Sequence, residues 1–60
     1  MTRSQAQAIK ELNAEIAAIT TIRDGGIVNG ISTNSKGCDR AWCLEAIAAR
    51  YETISEIRNS

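Results

Sequence analysis

The sequence predicts an all-α protein in which two helices pair as an antiparallel hairpin and copies of the hairpin assemble into a symmetric helical bundle. Apolar residues recur at helical spacings of three and four in two segments of similar length. Glycines and polar residues separate these segments, and proline, which interrupts helices, is absent from the chain. A length of 60 residues allows a single domain at most.

The first helix is predicted from Ser4 to Arg23. Ser4 followed by Gln7 fits a capping box, in which both side chains bind free N–H groups at a helix start. Residues 1–3 are therefore expected to be disordered. Arg23 suits the negative end of the helix dipole, and the glycine pair that begins at Gly25 ends the helix. The apolar seam of this helix is predicted to consist of Ile9, Leu12, Ile16 and Ile19.

The second helix is predicted over residues 39–58, with Asp39 as its N-cap and Arg58 in its last turn. Its predicted seam has the same spacing of three, four and three. That seam consists of Leu44, Ile47, Tyr51 and Ile54. Because the two seams have equal length and each helix measures about 30 Å, they can face each other along the whole hairpin.

The connection over residues 24–38 is long and polar for a link between two helices. It contains the dipeptide Asn29-Gly30 between short apolar runs, which is the strongest short-range signal for a tight β-hairpin turn. A miniature hairpin and a simple tight turn both fit this pattern. Whether the turn covers the core or lines a site stays open at this point.

Several apolar residues lie off the two seams, so one hairpin leaves apolar surface to cover. These residues are Ala14, Ala18 and Ile22 in the first helix and Trp42, Ala46, Ala49 and Ile57 in the second. Trp42 either folds over the end of the hairpin or packs against another copy of the chain. Since a lone two-helix hairpin of this size is marginally stable, we expect a homo-oligomer. A dimeric four-helix bundle is its simplest form, and larger rings remain open.

Composition argues against several classes of protein. Without histidine, and with only Cys38 and Cys43 as thiols, neither a metal site nor a bound cofactor is expected. Cys38 falls in the loop and Cys43 in the helix that follows, so a bridge between them would need a distorted helix start. The two cysteines are therefore expected to be reduced in a cytoplasmic protein, with a disulfide as the alternative. A net charge of zero disfavours nucleic-acid binding, and no long apolar run predicts a membrane span.

Enzymatic activity is not expected. The chain has no histidine to act as a base near neutral pH, and neither cysteine has an activating neighbour in sequence. Carboxylates one helical turn apart occur at Glu11 and Glu15, and at Glu52 and Glu56. On exposed helix faces such pairs are ordinarily solvated charges.

The most suggestive polar segment runs into the start of the second helix. A helix N-terminus attracts anions through its free N–H groups and dipole, and Trp42 offers a face on which a base can stack. Asp39 at the cap would compete with an incoming anion. An ordinary polar loop with a packed tryptophan is the alternative interpretation. The candidate ligand-binding residues are Asn34, Ser35, Lys36, Asp39, Arg40 and Trp42.

The run Asp39-Arg40-Ala41-Trp42 resembles the start of the second helix in the helical hairpin of certain phage anti-defence proteins. These sponge proteins block CBASS and Thoeris immunity by sequestering cyclic nucleotide signals. The likeness covers roughly a third of the chain. Ile47-Ala48 lies later here than in the family pattern, and the family's downstream glycine and closing Arg-Ala stretch are not matched.

This resemblance implies a ring of hairpins with ligand pockets where the loops and helix ends of neighbours meet. It carries Asp39 and Trp42 over as ligand-binding residues, while Arg40 is shifted from its family position. The expected function is therefore stoichiometric capture of a cyclic nucleotide or a related small anion in the host cytoplasm. A protein–protein interaction module without a small ligand is the alternative, and an RNA-binding hairpin is disfavoured by the zero net charge.

Overall fold

The computed structural model describes residues 1–35 and 37–60, and over these residues it consists of two helices packed against each other. Helix α1 spans Arg3–Arg23 and helix α2 spans Arg40–Arg58. The pair measures 38 × 19 × 16 Å, as expected for two helices of this length side by side. Within residues 1–35 and 37–60, neither helix is long and apolar enough to cross a membrane. The predicted all-α pairing of two helices is confirmed.

Helix α1 begins earlier than the sequence pattern suggested. Thr2 is the N-cap: its hydroxyl accepts from the Gln5 backbone N–H at 3.1 Å, and the Gln5 side chain accepts from the Thr2 N–H at 2.8 Å. The predicted Ser4–Gln7 capping box is therefore wrong, and Thr2 and Arg3, which were expected to be disordered, belong to the cap and the first turn of the helix. Both pairs fit the same capping pattern, but the earlier one lengthens the helix and brings Gln5 within 3.3 Å of Ser60 at the far end of the chain.

Helix α2 begins where its cap predicts. Asp39 has an extended backbone, and its Oδ1 accepts from the Trp42 backbone N–H at 2.8 Å. The helix ends at Arg58, followed by Asn59 as C-cap. Asp39 thus fixes the position at which the connection turns into the helix.

On α1, the predicted seam is extended rather than replaced. Ile9, Ile16 and Ile19 are buried, and Leu12 is partly buried against them. Ile22, which the spacing placed off the seam, is also buried, with only 5% of its surface exposed. It lies three residues after Ile19, so it continues the same stripe to the end of the helix.

On α2, half of the predicted seam is wrong. Ile47 and Ile54 are buried as expected, but Leu44 is 49% exposed and Tyr51 is 56% exposed. Cys43 is fully buried in their place. A seam through Ile47 can continue to the residue three positions before it, Leu44, or four positions before it, Cys43. In this structure Cys43 joins the core cluster, near the point where the connection enters the helix.

The connection contains the predicted tight turn. Val28 and Ile31 exchange two backbone hydrogen bonds of 3.0 and 2.9 Å, which makes an antiparallel bridge around Asn29-Gly30. Asn29 and Gly30 have φ values of 51° and 80°, the left-handed conformation that a two-residue hairpin turn of type I′ requires at both central positions. Because residues 28–31 lie between Arg23 and Arg40, this turn is at the end of the hairpin where α1 stops and α2 starts.

Candidate functional site

An open groove lies between the two helices on the side where the Asn29-Gly30 turn covers them. Its volume is about 240 Å³. Both helices and the turn contribute apolar side chains to it, so it forms at the junction of all three elements. The main apolar lining residues are Ile19, Ile22, Val28, Ile31, Cys38 and Trp42.

Trp42 gives the groove its only aromatic wall among the lining residues. The Asp39 carboxylate holds the backbone of Trp42 in the first turn of α2, and Trp42 lines the groove together with Val28 and Ile31. The residue is still 39% exposed. Trp42 therefore packs at the end of the hairpin, as one interpretation of the sequence expected, and also keeps surface that a ligand or another chain can contact.

Arg50 and Glu15 bring one charge of each sign to the same groove. The Arg50 Nη1 donates to the Ala46 carbonyl at 3.0 Å, and its Nη2 lies 3.5 Å from the Glu15 Oε1 across the helix pair. The buried Nε has no hydrogen-bond partner among residues 1–35 and 37–60. A bond of 3.5 Å to a half-exposed carboxylate is weak, so the guanidinium retains the capacity to bind a stronger acceptor.

Sequence reasoning missed Arg50, although one signal was present. Arg50 lies three residues after Ile47 and four before Ile54, which places it on the buried stripe of α2. A charged residue at such a position either reaches the surface along its aliphatic stem or pairs across the helices. Arg50 pairs with Glu15, and only 28% of its side chain is exposed.

Of the six candidate residues from the sequence, Trp42 lines the groove. Asp39 is occupied as the N-cap of α2, and Arg40 is exposed in the first turn. The Asn34 N–H donates to Ser32 Oγ at 3.3 Å, and Ser35 Oγ accepts from the Ser32 N–H at 3.1 Å. These two bonds shape the connection locally and do not bring either side chain into the groove.

Lys36, the remaining candidate, lies outside the described residues. At the start of α2, the Asp39 carboxylate occupies the N–H group of Trp42 that an anion would otherwise use. Asp39 is thus the cap that the sequence predicted, and its carboxylate lies where an anion would approach the helix N-terminus.

The groove thus combines an aromatic wall, an apolar floor and a paired guanidinium. Comparison of the chain with protein-family models, with curated proteins and with solved structures finds no match. Trp42, Arg50 and Glu15 are the aromatic and charged side chains that line the groove.

Proposed function

We propose that this protein is a non-enzymatic, self-associating binding protein that captures a small anion of the nucleotide class in the groove beside Trp42. The observation that supports this proposal is the presence of Trp42 and Arg50 in one groove. An indole face stacks on a nucleobase, and a guanidinium binds phosphate through a planar pair of N–H donors. The apolar residues between them exclude water from the base.

The size of the groove favours a site shared between copies of the chain. Pockets for drug-sized ligands measure roughly 300–1,000 Å³. The groove, at about 240 Å³, is smaller. We therefore expect one hairpin to hold a single base or phosphate group, while a neighbouring copy contacts the rest of the ligand. The resemblance of the α2 start to sponge proteins implies the same arrangement.

Exposed apolar side chains support self-association. Ile27, Leu44 and Tyr51 are 71%, 49% and 56% exposed, respectively. The buried set consists of six isoleucines and one cysteine, with no aromatic residue among them. A core of this kind gains substantially from burying further apolar surface against another copy. A symmetric homo-oligomer is the corresponding proposal.

Trp42 is the only tryptophan, so its fluorescence reports directly on the proposed site. Titration with nucleoside monophosphates and with cyclic dinucleotides should quench and shift this fluorescence for at least one ligand. Arg50→Gln should weaken binding by about 10- to 150-fold, since one charge-assisted contact is worth roughly 1.5–3 kcal/mol. Arg40→Gln is the matched control and should bind normally. Equal affinity of both variants, or no response to any nucleotide, would contradict the proposal.

Self-association is tested separately by native mass spectrometry of the purified protein. A defined oligomer is expected, and bound nucleotide would appear as additional mass on it. Tyr51→Glu should shift the population toward monomer, because it places a charge on exposed apolar surface. A monomer at every concentration would overturn both the proposed assembly and the sharing of the ligand between copies, and the fluorescence titration would then test binding to the groove of a single hairpin only.

A protein–protein interaction module is a second candidate function. Leu44 and Tyr51 support it, because they lie on the face of α2 nearly opposite Trp42 and are both about half exposed. A partner that recognises this face should bind the wild type and Trp42→Ala equally but lose affinity for Leu44→Glu. Loss of the partner with Trp42→Ala alone would instead assign the interaction to the groove.

A further inference from the structure

Cys38 and Cys43 flank the start of α2 at two positions that meet in space. Asp39 is the N-cap, so Cys38 immediately precedes the cap and Cys43 is the fourth residue of the helix. Side chains at these two positions commonly pack against each other in the arrangement known as a hydrophobic staple. In this protein both staple positions are cysteines.

The distances agree with this arrangement. Cys43 Sγ lies 4.0 Å from the backbone carbonyl oxygen of Cys38. Cys38 precedes the helix, so the helical geometry that separates side chains five positions apart does not hold these two apart. Both thiols are free in the structure. The turn through Asp39 therefore folds the chain back so that the Cys43 sulfur reaches Cys38.

The two thiols differ in access. Cys43 is fully buried, whereas Cys38 is partly exposed and lines the open groove. A small reagent can therefore reach Cys38 first through the groove. Cys43 then lies behind it as the second thiol of the pair.

We infer that Cys38 and Cys43 are a modification site at which a small-molecule disulfide, such as oxidised glutathione, forms a reversible intrachain disulfide. The Cys38 thiolate attacks the reagent, forms a mixed disulfide and releases one glutathione thiolate. The Cys43 thiolate then attacks Cys38 Sγ and releases the second glutathione thiolate. Two protein thiols are oxidised, one reagent disulfide is reduced, and the two protons end on the two glutathione thiols.

Such a bond joins the connection to the second turn of α2 and fixes Cys38, which lines the groove. Its formation does not depend on the nucleotide proposal. If the groove is also the ligand site, oxidation changes ligand access in the same molecule.

The test is incubation of the folded protein with oxidised glutathione, followed by intact mass measurement and alkylation with iodoacetamide. We expect a loss of about 2 Da, no alkylation of the oxidised chain, and full recovery of two thiols with a dithiol reductant. Cys43→Ala should stop at one glutathione adduct on Cys38, because the second thiol is missing. Cys38→Ser should leave Cys43 unmodified while the chain remains folded.

Other products would overturn the inference. Accumulation of a stable glutathione adduct on the wild type would mean that Cys43 cannot reach Cys38. Chains linked to each other on a non-reducing gel, with no intrachain product, would likewise contradict it. Circular dichroism of each variant checks folding, and the wild-type mass still decides if Cys43→Ala does not fold.

Discussion

The buried face of α2 contains Cys43 and Ile47 but not Leu44. Alanine substitutions at Ile47 and at Leu44 should therefore differ clearly in their effect on stability. Ile47 is 9% exposed and belongs to the core, whereas Leu44 is 49% exposed. The seam expected from sequence spacing includes both residues. Ile47→Ala and Leu44→Ala remove side chains of nearly equal volume, so their costs measure which face of α2 is buried.

For Ile47→Ala we expect a loss of roughly 2–4 kcal/mol in the free energy of unfolding, from lost transfer energy and a remaining cavity. Leu44 keeps about half its surface in water, so Leu44→Ala should cost about 1 kcal/mol and leave no cavity. A chain of this length has a total stability of roughly 3–9 kcal/mol. At the lower end of that range, Ile47→Ala should unfold a measurable fraction of the protein even without denaturant.

The assay is urea unfolding followed by far-ultraviolet circular dichroism at several protein concentrations. The cost of Leu44→Ala should vary with concentration if Leu44 lies between copies, while the excess cost of Ile47→Ala should persist at every concentration. Equal costs for the two variants across the whole concentration range would refute the observed register of α2. A larger cost for Leu44→Ala at all concentrations would restore the seam expected from the spacing.

Three further substitutions test local features by thermal or urea unfolding. Asp39→Ala should lower the free energy of unfolding by about 1 kcal/mol, because the Trp42 N–H loses its acceptor. Asp39→Asn should keep most of that free energy, and an unchanged stability of the alanine variant would contradict the cap. Gly30→Ala should cost about 1–2 kcal/mol because φ is +80°, whereas an unchanged midpoint would argue against the tight turn. Gly26→Ala places a Cβ 2.6 Å from Thr21 Cγ2 and 2.9 Å from the Thr21 carbonyl oxygen. We therefore expect the free energy of unfolding to fall by about 1–3 kcal/mol. An unchanged stability would mean that the backbone around Gly26 shifts to accommodate the methyl group.

The ends of the helices could largely be predicted from the sequence because local chemistry determines them. Asp39 caps α2 through a bond to a residue three positions away, and Asn29-Gly30 supplies the left-handed conformation that its turn needs. The start of α1 was misplaced for the same kind of reason. Two overlapping capping pairs satisfy the local pattern, and the longer helix begins at Thr2.

The buried face of α2 could not be predicted because it depends on contacts between elements. Ile47 and Ile54 define a stripe that either flank can complete, and local spacing does not choose between Leu44 and Cys43. The rotation of α2 that buries Cys43 also brings Arg50 to Glu15. Trp42 was a candidate from the sequence and lines the groove, whereas the spacing of Arg50 from Ile47 and Ile54 indicates a position on the buried stripe but does not identify Glu15 as its partner.

The described part of the connection contains small closed turns, and these affect how fast the chain folds. Backbone hydrogen bonds join Val28 with Ile31, Ser32 with Ser35, and Ser35 with Cys38, each across three residues. Turns of this length close before distant segments meet, so fewer free torsions remain to be ordered when α1 and α2 collide. A flexible link would lose its conformational entropy in one late step, when the helices meet. Here part of that entropy is lost earlier, as each turn closes. We therefore expect the two helices to dock on the microsecond-to-millisecond timescale of small helical domains.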